Sequence, residues 1–226
     1  MPSLLTQREL ARLIEHQLLK PGASRQDIDT ACAEARQHGF YSLWVNGSRV
    51  TRAVALLEDS EVKVATVIGF PLGAMDADAK RYETEVAIDN GAQEINVVPN
   101  IGWLKEGEHA ALLRELRDVV EAADERPLGV ILDSGLLSHR EKVRAGELAK
   151  EAGAKAIITG IIFGPANLLT EEVKDLRGTV GANFGITATG HILDARTAIA
   201  VLESGATRLA TTTGPAILGA FDSGHS

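Results

Sequence analysis

Short apolar runs alternate along the chain with longer segments whose apolar residues recur at helical spacing. Thr6 opens a short helix to Ile14, with Glu9 at the capping-box offset. Ile14 to Pro21 reads as a short strand closed by the proline. Ser24 caps a helix whose apolar positions are Ile28, Ala31, Cys32 and Ala35, and Gly39 ends it. The run from Phe40 to Asn46 is a second strand, followed by a helix from Ser48 to Leu57. Val62 to Gly69 is a third strand, closed by Phe70-Pro-Leu-Gly73. A helix from Ala77 to Asn90 leads to a strand over Glu94 to Val98. Glu108 to Ala123 is a long helix, and Leu128 to Asp133 a fifth strand. Ser138 and Glu141 form a capping box for the helix through Ala152. Ala156-Ile-Ile-Thr-Gly-Ile-Ile-Phe-Gly-Pro165 begins as a sixth strand and ends in a Gly/Pro loop. A helix near Thr170 to Leu176, a strand over Gly185 to Thr189 and a helix from Asp194 to Glu203 follow. Thr207 to Thr211 is the last strand, and Gly214 opens a closing helix.

Each apolar run is followed by an amphipathic one. The junctions Asn90-Gly-Ala, Glu151-Ala-Gly-Ala and Glu203-Ser-Gly-Ala are helix C-caps that feed the next strand. Eight such units in 226 residues predict an α/β fold, a single-domain (β/α)₈ TIM barrel over residues 1–226. Active sites of such barrels lie where the strands end, so the strand C-termini are the places to search.

Composition narrows the partners. The formal charge of -8 and the lack of a basic stripe argue against nucleic acid. No run approaches a membrane span, and the N-terminus lacks the basic start and apolar core of a signal peptide, so a cytoplasmic protein is expected. Cys32 is the only cysteine. It excludes an intramolecular disulfide and reads as a small apolar side chain on a buried helix face. Glu15, His16, Asp133 and His191 fall on separate strands without ligand spacing, so no metal is predicted, and no cofactor is predicted either.

Several strings resemble the deoxyribose-phosphate aldolase family, a family of TIM-barrel class I aldolases. They are Ile14-Glu-His-Gln-Leu-Leu-Lys-Pro21, Val62-Lys-Val-Ala-Thr-Val-Ile-Gly-Phe-Pro-Leu-Gly73 and Asn90-Gly-Ala-Gln-Glu-Ile-Asn-Val-Val98. Asn100-Ile-Gly-Trp-Leu-Lys105, Ile131-Leu-Asp-Ser-Gly-Leu-Leu137 and Ala206-Thr-Arg-Leu-Ala-Thr-Thr-Thr-Gly214 complete them. The resemblance runs almost from end to end. It implies a lysine Schiff base on the sixth strand, joining acetaldehyde to glyceraldehyde 3-phosphate. A desolvated amine near a second cation attacks a carbonyl, and a carboxylate–lysine relay moves the protons. The family pattern Val-Lys-Thr-Ser-Thr-Gly-Phe is here Ile157-Ile-Thr-Gly-Ile-Ile-Phe163, so the reactive position is Ile158. The second lysine, on the seventh strand, is Thr187, and the fourth-strand aspartate is Asn96. An amide neither takes nor releases protons near neutral pH. Lys155 precedes the sixth strand and is expected at the barrel bottom, and Lys20, Lys63 and Lys105 match family lysines outside the Schiff base.

The expectation is therefore a divergent member of that lineage without Schiff-base chemistry. Its reaction would be a lyase, cyclisation or isomerisation on a small, non-phosphorylated carbonyl compound, run by acid–base or template catalysis. The alternative is a non-catalytic barrel that binds a ligand or a partner. Asp133 and His191 are the candidate acid–base groups, with loop acceptor and exposed loop histidine as their structural readings. Asn96 and Thr187 complete the candidate catalytic set. His16, Trp44, Asn46, Thr159, Ile161, Thr189, Gly190, Thr212 and Thr213 are the candidate substrate contacts. Trp44, Ile158, Ile161 and Ile162 would make the mouth drier, either for a less polar ligand or as the filling of a dead site. Thr211-Thr-Thr-Gly214 resembles the family's phosphate grip, whereas Ile162 and His191 stand where the family has loop glycines. The resemblance also implies a homodimer.

Overall fold

The computed structural model describes residues 5–160 and 169–223. Eight parallel strands close into a barrel in sequence order, each paired to the next and the eighth to the first. They are β1 (Ile14–Leu18), β2 (Ser42–Val45), β3 (Lys63–Ile68), β4 (Glu94–Val97), β5 (Leu128–Asp133), β6 (Ala156–Gly160), β7 (Gly185–Thr189) and β8 (Arg208–Thr211). The helices are α1 (Gln7–Ala11), α2 (Arg25–His38), α3 (Val50–Leu57), α4 (Ala77–Asp89), α5 (Ile101–Glu106), α6 (His109–Ala122), α7 (His139–Ala152), α8 (Leu169–Val180), α9 (Ala195–Glu203) and α10 (Gly214–Ser223). The predicted (β/α)₈ architecture is the one observed. The capping boxes at Thr6/Glu9 and Ser138/Glu141 are both formed. α5 is an addition: Asn100 caps it through Trp103 N–H, and Gly107 ends it in the left-handed region. No helix among the described residues is long and apolar enough to cross a membrane.

Strand side chains alternate between the bore and the helix layer. Outward residues such as Leu43, Ile95, Val130, Ile157 and Ile186 pack under the helices, as does Cys32. A smaller apolar group fills the bore: Trp44, Ala65, Val67, Val98, Ile131, Ile158 and Ala210. Below it, at the N-terminal end, the bore is polar. Arg208 bonds Glu15 Oε1 at 3.1 Å and Tyr41 Oη at 2.7 Å, with its guanidinium 3.6 Å over the Tyr41 ring. Tyr41 Oη donates to Glu94, and Lys63 donates to Tyr41 at 2.9 Å. These long side chains crowd the barrel bottom with paired charges, and chemistry is expected at the other end, where the strands finish.

Candidate active site at the barrel mouth

The C-terminal ends of the strands open into a cavity of about 500 Å³. Its floor is apolar, formed by Trp44, Ile131 and Ile158, with Phe70 at one side. Thr189, Gly190 and Thr212 line the wall at the ends of β7 and β8, and Gln17 lines the end of β1. One stripe of α2, Asp27, Thr30, Ala31 and Glu34, lines the wall beside β1 with His16 and Lys20. Helical spacing puts these four on one face, and packing of α2 beside β1 turns that face to the mouth.

The stripe brings acid–base groups to the rim. His16 Nε2 lies 3.4 Å from Glu34 Oε2, and the imidazole stacks on Phe40 with centroids 5.3 Å apart. Burial lowers the His16 pKa, against the pull of Glu34, so the ring stays neutral near pH 7. Asp27 is already engaged. The Ser24 hydroxyl and N–H both donate to it, which holds its carboxyl below the usual range and caps α2. The Trp44 indole N–H has no partner among the described residues although the ring is buried.

The predicted site residues divide by depth and face. His16, Trp44, Ile158, Thr189, Gly190 and Thr212 meet at the mouth. Asn96 and Thr187 line a second cavity of about 260 Å³, which Ile158, the register partner of Thr187, also lines. That chamber also takes Glu15, Glu94, Arg208 and Lys155, and Pro127, Ala182 and Asn183 frame it at the N-terminal end. Asp133 is buried at the end of β5, where its carboxylate accepts the Gly135 N–H at 3.0 Å, the loop-acceptor arrangement. Thr159 points out of the barrel, and its hydroxyl donates to Glu172, as does that of Ser134. Lys142 balances that buried carboxylate at 3.4 Å. Thr213 turns inward to the Ile192 carbonyl at 3.0 Å. Asn46 is half-buried at the head of a 3-10 turn without a capping bond. His191 is exposed. Ile161, with Ile162, lies outside the described residues. Thus Asp133, His191, Asn46, Thr159 and Thr213 are not brought to the cavity wall, and Lys20, Asp27 and Glu34 are.

Burial pushes the Glu15 carboxyl up to about 7; Arg208 opposes this and Glu94 adds to it. Alternation sends Glu15 into the bore, where it lines the lower chamber, and His16 outward against α2, where it lines the mouth cavity. Among the described residues, no group of three or more His, Cys, Asp and Glu side chains is placed to hold a metal ion.

No family model matches the chain. Individual proteins do. A deoxyribose-phosphate aldolase of Alkaliphilus oremlandii is 47% identical over 201 residues, 88% of this chain and 90% of its own. That of Aciduliprofundum boonei is 45% identical over 206 residues, 89% and 92% of the two chains. Among solved structures, the aldolase QR15 superposes with a TM-score of 0.91 at 31% identity, over 96% of this chain and 97% of its own. The tetrameric deoxyribose phosphate aldolase of Aeropyrum pernix does so with a TM-score of 0.88 at 26% identity, over 96% and 93%. These likenesses overturn the expectation of a barrel that left its lineage for another reaction on a non-phosphorylated compound, or for no reaction. Substitution at three positions does not outweigh 45–47% identity over about nine-tenths of the chain to proteins that carry the aldolase name.

Proposed function

Because the chain belongs to the deoxyribose-phosphate aldolase family, we propose that its barrel mouth takes deoxyribose 5-phosphate and that its reaction is aldol cleavage of that compound. The identity to such aldolases across about nine-tenths of both chains carries this reading. The open cavity at the strand ends supports it, since barrel chemistry belongs there. Cleavage removes the C3 hydroxyl proton and breaks the C2–C3 bond. Glyceraldehyde 3-phosphate leaves, and the carbon left behind is protonated to give acetaldehyde.

A finer part of the proposal concerns the carbonyl. Ile158 and Thr187 carry no amine, so neither forms an imine, and Asn96 cannot relay a proton. Developing charge on the carbonyl oxygen then falls to hydrogen-bond donors at the mouth. The unpartnered Trp44 N–H is suited to that role. Thr189 is less so, because its hydroxyl already donates to the Ala210 carbonyl at 3.0 Å. The His16–Glu34 pair is the titratable group suited to move the proton. Gly190 and Thr212, beside the N-terminus of α10, are suited to the phosphate.

Purified protein supplied with deoxyribose 5-phosphate should release acetaldehyde and glyceraldehyde 3-phosphate. Failure to form either product sinks the reaction. Borohydride reduction of the mixture, read by intact mass, should leave the protein unmodified; a trapped adduct would overturn the finer part and place an imine on a lysine.

A further inference from the structure

The bore holds two cavities, and among the residues that line them Ile158 is the one common to both. The upper one, about 500 Å³, faces the strand C-termini; the lower one, about 260 Å³, opens at the opposite end. Ile158 is 1% exposed and packs in the apolar plate with Trp44, Val67, Val98, Ile131 and Ala210. Its Cδ1 leans over Gly129, lying 2.4 Å from where a Cβ would stand on that residue. Asn96 Oδ1 enters the same space from the other side, at 2.6 Å. The missing side chain at 129 is thus what lets Ile158 of β6 and Asn96 of β4 meet over β5, which runs between them.

We propose that Ile158 is the floor of the mouth: it separates the ligand cavity from the lower chamber and sets how far a ligand can reach into the barrel. This rests on the reading that the mouth takes a phosphorylated ligand. Asn96 and Thr187 line the lower chamber and not the mouth, and on this reading a ligand in the mouth does not reach them.

Straight-chain alkyl phosphates, from methyl to hexyl, serve as a ruler. Each methylene buried on the apolar floor should tighten binding about fourfold until the chain meets Ile158. In the native protein the gain should stop at a definite length. In Ile158→Ala it should stop about two methylenes later, and in Ile158→Val at an intermediate length. The same stopping point in all three folded proteins overturns the proposal. Asn96→Ala and Thr187→Val should each change deoxyribose 5-phosphate affinity less than about twofold; a tenfold loss in either puts the ligand below Ile158 and also overturns it. If no phosphate compound binds, the reading of the ligand fails, and a crystal structure of Ile158→Ala still decides the floor. Continuous solvent from Trp44 to Thr187 supports it, and two cavities still closed from each other refute it.

Discussion

Gly129 is one of the tightly packed positions of the bore. A Cβ there would meet Ile158 Cδ1 at 2.4 Å and Asn96 Oδ1 at 2.6 Å. Neither is cheap to move, because Ile158 is held in the apolar plate and Asn96 is buried beside Glu94 and Arg208. Overpacking of this kind costs about 1–3 kcal/mol. Gly129→Ala should therefore lower the free energy of urea unfolding by roughly that amount. Ile158→Ala alone should cost about 2–5 kcal/mol of lost burial, but the double variant should lose less than the sum of the two single losses, because the added methyl then has room. Additive losses would show that the clash is taken up elsewhere. Sequence reading found the substituted positions 96, 158 and 187 but not Gly129, whose role depends on side chains that lean over it from two other strands.

Elements of this barrel are tied by contacts that no local pattern announces. Lys80 of α4 and Glu115 of α6 are fully buried and 2.8 Å apart. The second Glu115 oxygen accepts the Asn100 N–H at 2.9 Å, which fixes the start of α5. One residue group thus binds two helices and the loop after β4. Lys80→Met leaves a buried carboxylate without its counter-charge, a loss of about 3–5 kcal/mol. Lys80→Met with Glu115→Leu should be more stable than Lys80→Met alone, as urea unfolding would show, although the Asn100 N–H loses its acceptor. A double variant as unstable as the single one would mean that the pair supplies more than mutual charge balance. The helices and strands themselves were legible, because capping boxes and C-terminal glycines are local signals. α5 was missed because it is only one and a half turns long and merges in sequence with the segment before α6. Only the buried apolar face of α2 was legible; the stripe of Asp27, Thr30, Ala31 and Glu34 was not, because its orientation toward the mouth depends on how α2 packs against β1.

At the scale of the whole molecule, adjacent residues on β1 give the two ends of the barrel different titrations. Glu15 faces the bottom and holds its proton up to about pH 7 in the folded protein, against 4.5 for an ordinary glutamate. The folded state therefore binds a proton that the unfolded state has released between those values, and its stability falls as pH rises through that window. The full penalty above pH 7 is on the order of 3 kcal/mol. His16 faces the mouth with a lowered pKa, so its contribution is lost as pH falls below 6.5. Glu15→Gln should raise stability at pH 8 and make little difference at pH 5. His16→Gln should do the reverse, gaining its relative advantage below pH 6. Ligand affinity should divide along the same line. Its pH dependence should change in His16→Gln, because His16 and Glu34 line the mouth, and survive in Glu15→Gln, because Glu15 lies beneath Ile158. Calorimetric titration with deoxyribose 5-phosphate from pH 5 to 8 in the three proteins separates these effects. If Glu15→Gln shifted the affinity profile as much as His16→Gln, the two ends of the bore would be coupled through the floor that Ile158 forms.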